Sequence, residues 1–406
     1  MTVISPAEPA ATYRQVFADP TFRVLFGTRS LAIAAETLRM VALAVLVYAA
    51  TDSALLGAVT YGIGFLPQVV GGVLFGAIAD RVRPRRMIVA GYVLQGATTA
   101  ALALPVLPLW AGLGIVVGVS CAAPLFAGAT SRLVAESLTG DAYVLGRSLM
   151  SMASSGAQLI GLAGGGVAIA ALGAREALLV SAACQIVSAI VTRLALGSFP
   201  APGVPTGRSA LRQSWVGTGH LLADRAVRGL FLAQWLPPAY VVGAESLLVP
   251  YAAIRGLPAG APGLLLACIP VGMLVGDLVI GRLVRPARRE RLFMPLVALL
   301  GGPLVGLAAD PPLPVVALLL AISGCGFAYA LTLQRRFLEA VPSQQRGHAF
   351  ALLGTGLMTA QGAGPVLFGG LSEVVGVGVA IAAAGTATVV TGAALRRAIR
   401  PRRSRP

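Results

Sequence analysis

The sequence has no lysine at all, and its 406 residues include only two histidines, four cysteines and fifteen acidic residues. Without lysine there is no GxxxxGK[ST] phosphate loop, so this chain does not hydrolyse ATP as a drive. Neither an HExxH pair nor a GxSxG nucleophile elbow is present. His220 and His348 stand far apart, and Cys121, Cys184, Cys268 and Cys325 each stand alone inside an apolar run, with no CxxC spacing. Small buried residues explain these cysteines better than a disulfide or a metal does. No enzymatic activity, metal or cofactor is therefore expected. Charged residues make up only 11% of the chain, too few to clothe a soluble fold of this length.

What is abundant is apolar: 57% hydrophobic residues, fifty glycines and a mean hydropathy of +0.84. Apolar runs of eighteen residues or more recur along nearly the whole chain, each long enough to cross a hydrocarbon core of ~30 Å as a helix. They are continuous rather than alternating, which makes strands poor candidates. The spacing predicts twelve helices, near 23–50, 55–79, 87–107, 109–131, 145–171, 176–196, 229–252, 259–283, 292–309, 313–333, 348–371 and 376–396. The fold class is thus an all-α polytopic membrane protein embedded in a lipid bilayer. The first run is too long for a signal-peptide core and has no cleavage site, so it reads as a retained anchor.

A net charge of +16 and a pI near 11.1 raise nucleic acid as a partner, but that requires the basic residues to gather on one soluble face. Instead the arginines fall in short clusters between apolar runs. One set of loops, together with the N-terminal segment, the middle loop and the tail, carries twenty-five of them, whereas the opposite loops hold only Arg175 and Arg255. The excess of positive charge inside places both termini and the middle loop in the cytoplasm, which demands an even number of crossings.

The longest polar interruption, 197–228, holds Pro200, Pro202, Pro205, Gly203 and Gly207 and reads as a linker. It divides the chain into a cytoplasmic N-terminal segment 1–22, a six-helix half 23–196, the linker 197–228, a second six-helix half 229–396 and an arginine-rich cytoplasmic tail 397–406. The halves look like repeats. Asp19-Pro-Thr-Phe-Arg23 is answered by Asp224-Arg-Ala-Val-Arg228, Arg132/Glu136 by Arg335/Glu339, and Gln158/Gly161 by Gln361/Gly364, at nearly constant offset. Parallel repeats about an axis along the membrane normal are a transporter architecture, with the binding site between the halves at mid-membrane.

Between the second and third helices stands Gly76-Ala-Ile-Ala-Asp80-Arg81-Val-Arg83-Pro84-Arg85-Arg86. A glycine lets two helices approach, and an acid beside guanidinium groups can hold a neighbouring helix end and release it on a conformational change. This loop resembles the signature of the major facilitator superfamily, with Pro84 as a departure; the plainer alternative is a cytoplasmic turn with positive-inside arginines. The resemblance makes Gly76, Asp80, Arg81, Arg85 and Arg86 a conformational latch. In the second half Arg285 stands where Asp80 does, so that side lacks the acid.

The first helix runs from Phe22-Arg23-Val-Leu-Phe26 through Arg29, Glu36 and Arg39 to Tyr48, followed by Thr51-Asp-Ser-Ala-Leu-Leu-Gly57. It resembles the first helix of bacterial drug exporters of that superfamily, in particular the macrolide-efflux, drug:proton antiporter branch. Glu36 lies ~20 Å along the helix from Arg23, close to the bilayer midplane. A charged residue at that depth needs a cavity or a partner. Arg29 shares its face and Arg39 is within pairing reach, so the alternative is a Glu36–Arg39 pair that braces the helix. Glu245, downstream of Pro237 and Pro238, is the other acid inside an apolar run, facing either the cavity or the outer vestibule. The prolines predict a kink or break. Glu36, Arg29, Arg39, Glu245, Gln158 and Gln361 are the candidate proton-coupling and cavity residues. Gly362-Ala-Gly364-Pro365 resembles the antiporter glycine–proline motif, although glycines at this spacing also serve close helix packing.

The resemblance implies a monomeric, proton-coupled exporter in the cell inner membrane, carrying a hydrophobic or amphiphilic small molecule by alternating access. Uptake or facilitated diffusion of a small polar or anionic solute is the second possibility, and a transport-dead scaffold or sensor the third. Arg29 and Arg39 leave room for an anionic substrate. Nucleic acid is not expected as a partner.

Overall fold

The computed structural model describes residues 12–71, 82–105, 107–138, 140–197, 219, 221–258, 260–284, 286–341 and 346–399. Among these residues the chain is helical, with no strand. After a short helix, Tyr13–Ala18, twelve crossings follow. They are α1 (Pro20–Thr51), α2 (Ala54–Gly62, resuming after a turn to Gly71), α3 (Pro84–Leu102), α4 (Leu109–Ser137), α5 (Gly140–Leu172) and α6 (Ala174–Ala195). The second half adds α7 (Arg225–Ser246, then Leu248–Ile254), α8 (Ala261–Leu278 with a π turn Val279–Leu283) and α9 (Pro286–Arg289, then Phe293–Val305). It ends with α10 (Leu313–Gly326, then Tyr329–Ala340), α11 (Arg346–Val375) and α12 (Val377–Ile399). Eight of these are long and apolar enough to span a membrane by length and composition alone. The other four are shorter, interrupted or diluted by polar residues.

The apolar exterior fits this architecture. Leu194 and Leu283 are 78% and 77% exposed, among many large hydrophobic side chains on outer faces. In water such a surface would aggregate, whereas in a bilayer it meets acyl chains.

Several repeat matches prove to be shared local devices. Asp19 Oδ1 accepts from Phe22 N at 2.7 Å and starts α1. Asp224 Oδ1 accepts from Ala226 N and Val227 N at 2.7 and 3.1 Å and starts α7. Both satisfy amides that a helix start leaves unpaired. Likewise Arg132 pairs with Glu136 at 2.5 Å on α4, and Arg335 with Glu339 at 2.7 Å on α10, each one turn apart.

Several boundaries differ from the sequence expectation. The third helix starts earlier, at Pro84, because proline suits the first helical turn, whose amides lack partners anyway. The fourth and tenth helices run on to Ser137 and Ala340, since the arginine–glutamate pairs support extra turns. The seventh helix passes through Pro237 and Pro238 without ending; its interruption falls at Leu247. Buried helices tolerate proline where neighbours meet the freed backbone groups. Of the linker 197–228, residues 198–218 and 220 lie outside the described residues, and α7 already begins at Arg225.

Two compact units emerge. The first takes Met1–Arg39, Val70–Gly161 and Arg175–Pro205; the second takes Met40–Val69, Leu162–Ala174 and Thr206–Pro406. In the first, Phe22, Leu25, Ile88, Tyr92, Leu133 and Leu196 form one buried cluster that joins α1, α3, α4 and the end of α6. Ser181 donates to the Ala35 carbonyl at 2.6 Å and Gln185 to the Ala32 carbonyl at 3.1 Å, so polar side chains of α6 fasten α1. In the second unit α7 packs against α11 and α12, α8 against α10, and α2 against α11. Glycines bring these backbones close: a Cβ at Gly166 on α5 would overlap the Gly260 carbonyl at the start of α8, and one at Gly62 on α2 would overlap the Pro365 ring on α11.

Candidate functional site

In the first unit, α1 carries three candidate residues. Arg39 donates to Glu36 Oε1 one turn away, an ion pair in which the arginine is largely buried and the glutamate is 44% exposed. Two turns nearer the N-terminus of α1, ~10 Å along the axis, half-buried Arg29 lines a cavity of about 210 Å³. Thr130 and Ser131 of α4 and Arg147, Met150 and Ser154 of α5 also line it. Gln158, one turn past Ser154 on α5, is exposed. Arginine at this depth offers a planar, permanently charged donor fork, and the hydroxyls add donors of adjustable direction.

The second unit holds a different arrangement. Glu245 of α7 is half-buried in helix packing and accepts a hydrogen bond from the Tyr61 hydroxyl of α2 at 3.2 Å. Tyr61 is 5% exposed. The pairing exists because α2 is held on α11 nearby, through Gly62 against Pro365 and Gly362 against Leu66. Gln361, half-buried on α11, directly precedes Gly362. A half-buried carboxyl inside an apolar helix, bonded to a neutral donor, is a group that needs a functional or structural reason for its place.

At the end of the same helices, Glu373 of α11 reaches the start of α2. Its Oε1 accepts from Leu55 N at 2.8 Å and from Ser53 Oγ at 2.9 Å. Ser53 in turn caps α2 by accepting from Leu56 N at 3.2 Å, and Asp52 makes the turn with φ of 51°. The carboxylate sits on the positive end of a helix dipole, where it is stabilised. Past the end of α7, Arg255 donates to the carbonyls of Pro311 and Asp310 at 2.7 and 3.0 Å, tying the end of α7 to the α9–α10 loop.

Of the expected latch, Gly76, Asp80 and Arg81 lie outside the described residues. Arg85 donates to the Arg193 carbonyl near the C-terminus of α6, a favourable place for a cation, and Arg86 is exposed. The structure therefore joins Glu36 to Arg39 and places Arg29 in a cavity, while Glu245 belongs with Tyr61. Tyr61, Arg147, Ser154 and Glu373 escaped the sequence reading. Tyr61 looks like an ordinary apolar-run aromatic until its neighbour is known, and Glu373 and Arg147 sit at helix ends where charge is unremarkable.

The fold is that of a polytopic membrane protein that carries acids inside its apolar helices. The family model described as the Major Facilitator Superfamily matches residues 25–338, well over half of the chain, and the chain belongs to that superfamily. It is similar to the enterobactin exporter EntS of Shigella boydii serotype 18 (strain CDC 3083-94 / BS512) and of Escherichia coli O81 (strain ED1a). Each is 28% identical over 409 aligned residues, covering 93% of this chain and 91% of the relative. Among solved structures, the crystal structure of the nucleoside transporter NupG aligns with a TM-score of 0.72 at 13% identity, covering 94% of this chain and all of that one. The inward-facing, unoccupied bacterial homolog of the human lysosomal transporter Spinster aligns at 0.67 and 15% identity, with 96% of each chain covered. At these identities the likeness is one of fold.

Proposed function

We propose that this chain is a proton-coupled exporter of a hydrophobic or amphiphilic small molecule, acting as a monomer in the cell inner membrane with both termini cytoplasmic. Export is supported by the EntS relatives, which match along nearly their whole length. Proton coupling rests on one observation: Glu245 is half-buried among helices and, among the described residues, is bonded to the Tyr61 hydroxyl rather than to a cation. Separation of α2 from α7 would hydrate that carboxyl and change its hold on a proton, which is what coupling to a conformational cycle requires. Glu36, nearer mid-membrane and paired with Arg39, is the second acid of the cycle; exchange of its arginine partner would let it take or release a proton.

The test is uphill accumulation in proteoliposomes with an imposed pH gradient, using a panel of cationic, neutral and anionic amphiphilic dyes. At least one dye should concentrate, and a protonophore should abolish this. Accumulation unaffected by the protonophore would refute proton coupling.

A further inference from the structure

We infer that the cavity between α1, α4 and α5 is a cargo site for the anionic end of an amphiphile, with Arg29 and Arg147 as the charge-reading residues. This rests on the transporter reading above and specifies its substrate class.

The argument starts from charge. Two guanidinium groups from different helices line one cavity, and among the described residues no carboxylate lies in ion-pair distance of either. The neighbouring acid on α4, Glu136, is already engaged by Arg132. Arg29 is half-buried and Arg147 is exposed at the cavity rim, so the two present positive charge of one sign to the same space, which favours an anion there. Structural arginines on this same chain show the contrast: Arg39 has Glu36, Arg85 has the Arg193 carbonyl, and Arg255 has two loop carbonyls.

The remaining lining fits the same ligand. Ser131 and Ser154 can donate to carboxylate, phenolate or sulfonate oxygens, whereas the Thr130 hydroxyl donates to the Phe126 carbonyl at 3.1 Å. Met150 supplies an adaptable apolar wall for the body of the molecule. Ser154 already donates to its own helix, to the Met150 carbonyl at 2.8 Å. It therefore marks the cavity wall, and its contribution to an anion requires a change of rotamer. An anionic phospholipid headgroup shares this chemistry, so the experiment must separate cargo from lipid.

Calorimetric titration of the full chain in nanodiscs of phosphatidylcholine, with no gradient imposed, uses three probes of one aromatic body: 2-naphthylacetate, 2-naphthylacetamide and 2-naphthylethylamine. The carboxylate should bind roughly tenfold or more tighter than the amide, the ammonium should bind weakest, and added salt should shrink the difference. Arg29→Gln with Arg147→Gln should erase the preference but keep amide binding, while Arg29→Lys with Arg147→Lys should retain part of it. In parallel, alkylation of Ser154→Cys, followed at that residue by mass spectrometry, should be slowed by the carboxylate and not by the amide.

Equal binding of the three probes by the wild type would overturn the inference, and needs no variant to fold. Retention of the full preference by the double glutamine variant would also overturn it. Protection of Ser154→Cys by phosphatidylglycerol discs alone would make the cavity a lipid seat and overturn the cargo assignment. Because no gradient is present, these outcomes are independent of whether transport is proton-coupled.

Discussion

The Tyr61 hydroxyl of α2 donates to the Glu245 carboxyl of α7 at 3.2 Å, joining a helix of the first sequence half to one of the second within a single packed unit. Removing the donor from this half-buried acid costs about 1 kcal/mol. Tyr61→Phe should therefore lower the thermal unfolding midpoint measurably in detergent. Glu245→Gln, whose amide oxygen can still accept from Tyr61, should lower it less. Equal losses in the two variants would mean that the bond does not contribute.

Glu373 holds the start of α2 through Leu55 N and Ser53 Oγ. Glu373→Ala removes both bonds and the anion at the helix N-terminus, each of which contributes on the order of 1 kcal/mol. It should loosen α2 from α11, so that a cysteine placed at buried Ala58, which a Cβ at Gly369 would touch, reacts faster with a membrane-impermeant maleimide. Glu373→Gln should give a smaller increase. An unchanged labelling rate in the alanine variant would show that the helices separate independently of this clasp.

Gly62 leaves no room for a side chain against Pro365. Gly62→Val should cost about 1–3 kcal/mol by overpacking and increase labelling at Ala58 in the same direction as Glu373→Ala. Full stability and unchanged labelling would show that the ring shifts freely.

The arginine distribution makes residue 210 cytoplasmic and residue 310 external. Single cysteines at these positions in cells should be labelled by an impermeant reagent at 310 and protected at 210. The reverse pattern would invert the topology.

The fold was largely legible because membrane helices announce themselves by continuous apolar runs, and because the bilayer leaves few alternatives. The repeat was legible for a physical reason: Asp19 and Asp224 cap equivalent helices, and the Arg132–Glu136 and Arg335–Glu339 pairs brace equivalent turns. Helix continuity at Pro237 and Pro238 was not legible, since it depends on tertiary neighbours. The candidate sites were read only in part. Acids and arginines inside apolar runs stand out by cost, which flagged Glu36, Arg29 and Glu245. Tyr61, which bonds Glu245, and Arg147, which lines the same cavity as Arg29, come from helices distant in sequence, and no spacing rule connects them.

Glu36→Gln should abolish accumulation driven by a pH gradient while downhill exchange continues, because it keeps the size of the protonated acid and removes its titration. If this variant accumulates dye at the wild-type rate, the Glu36–Arg39 pair is a brace of α1 and not part of the proton path.

The most direct test of the account follows protons themselves. Proteoliposomes containing an internal pH indicator are given the amphiphile identified by the dye panel, with no pH gradient at the start. The account predicts that downhill movement of the amphiphile drives opposite proton movement in the wild type. In Glu245→Gln it predicts amphiphile movement without proton movement. Amphiphile transport in the wild type with no proton movement, or undiminished proton movement in Glu245→Gln, would contradict it.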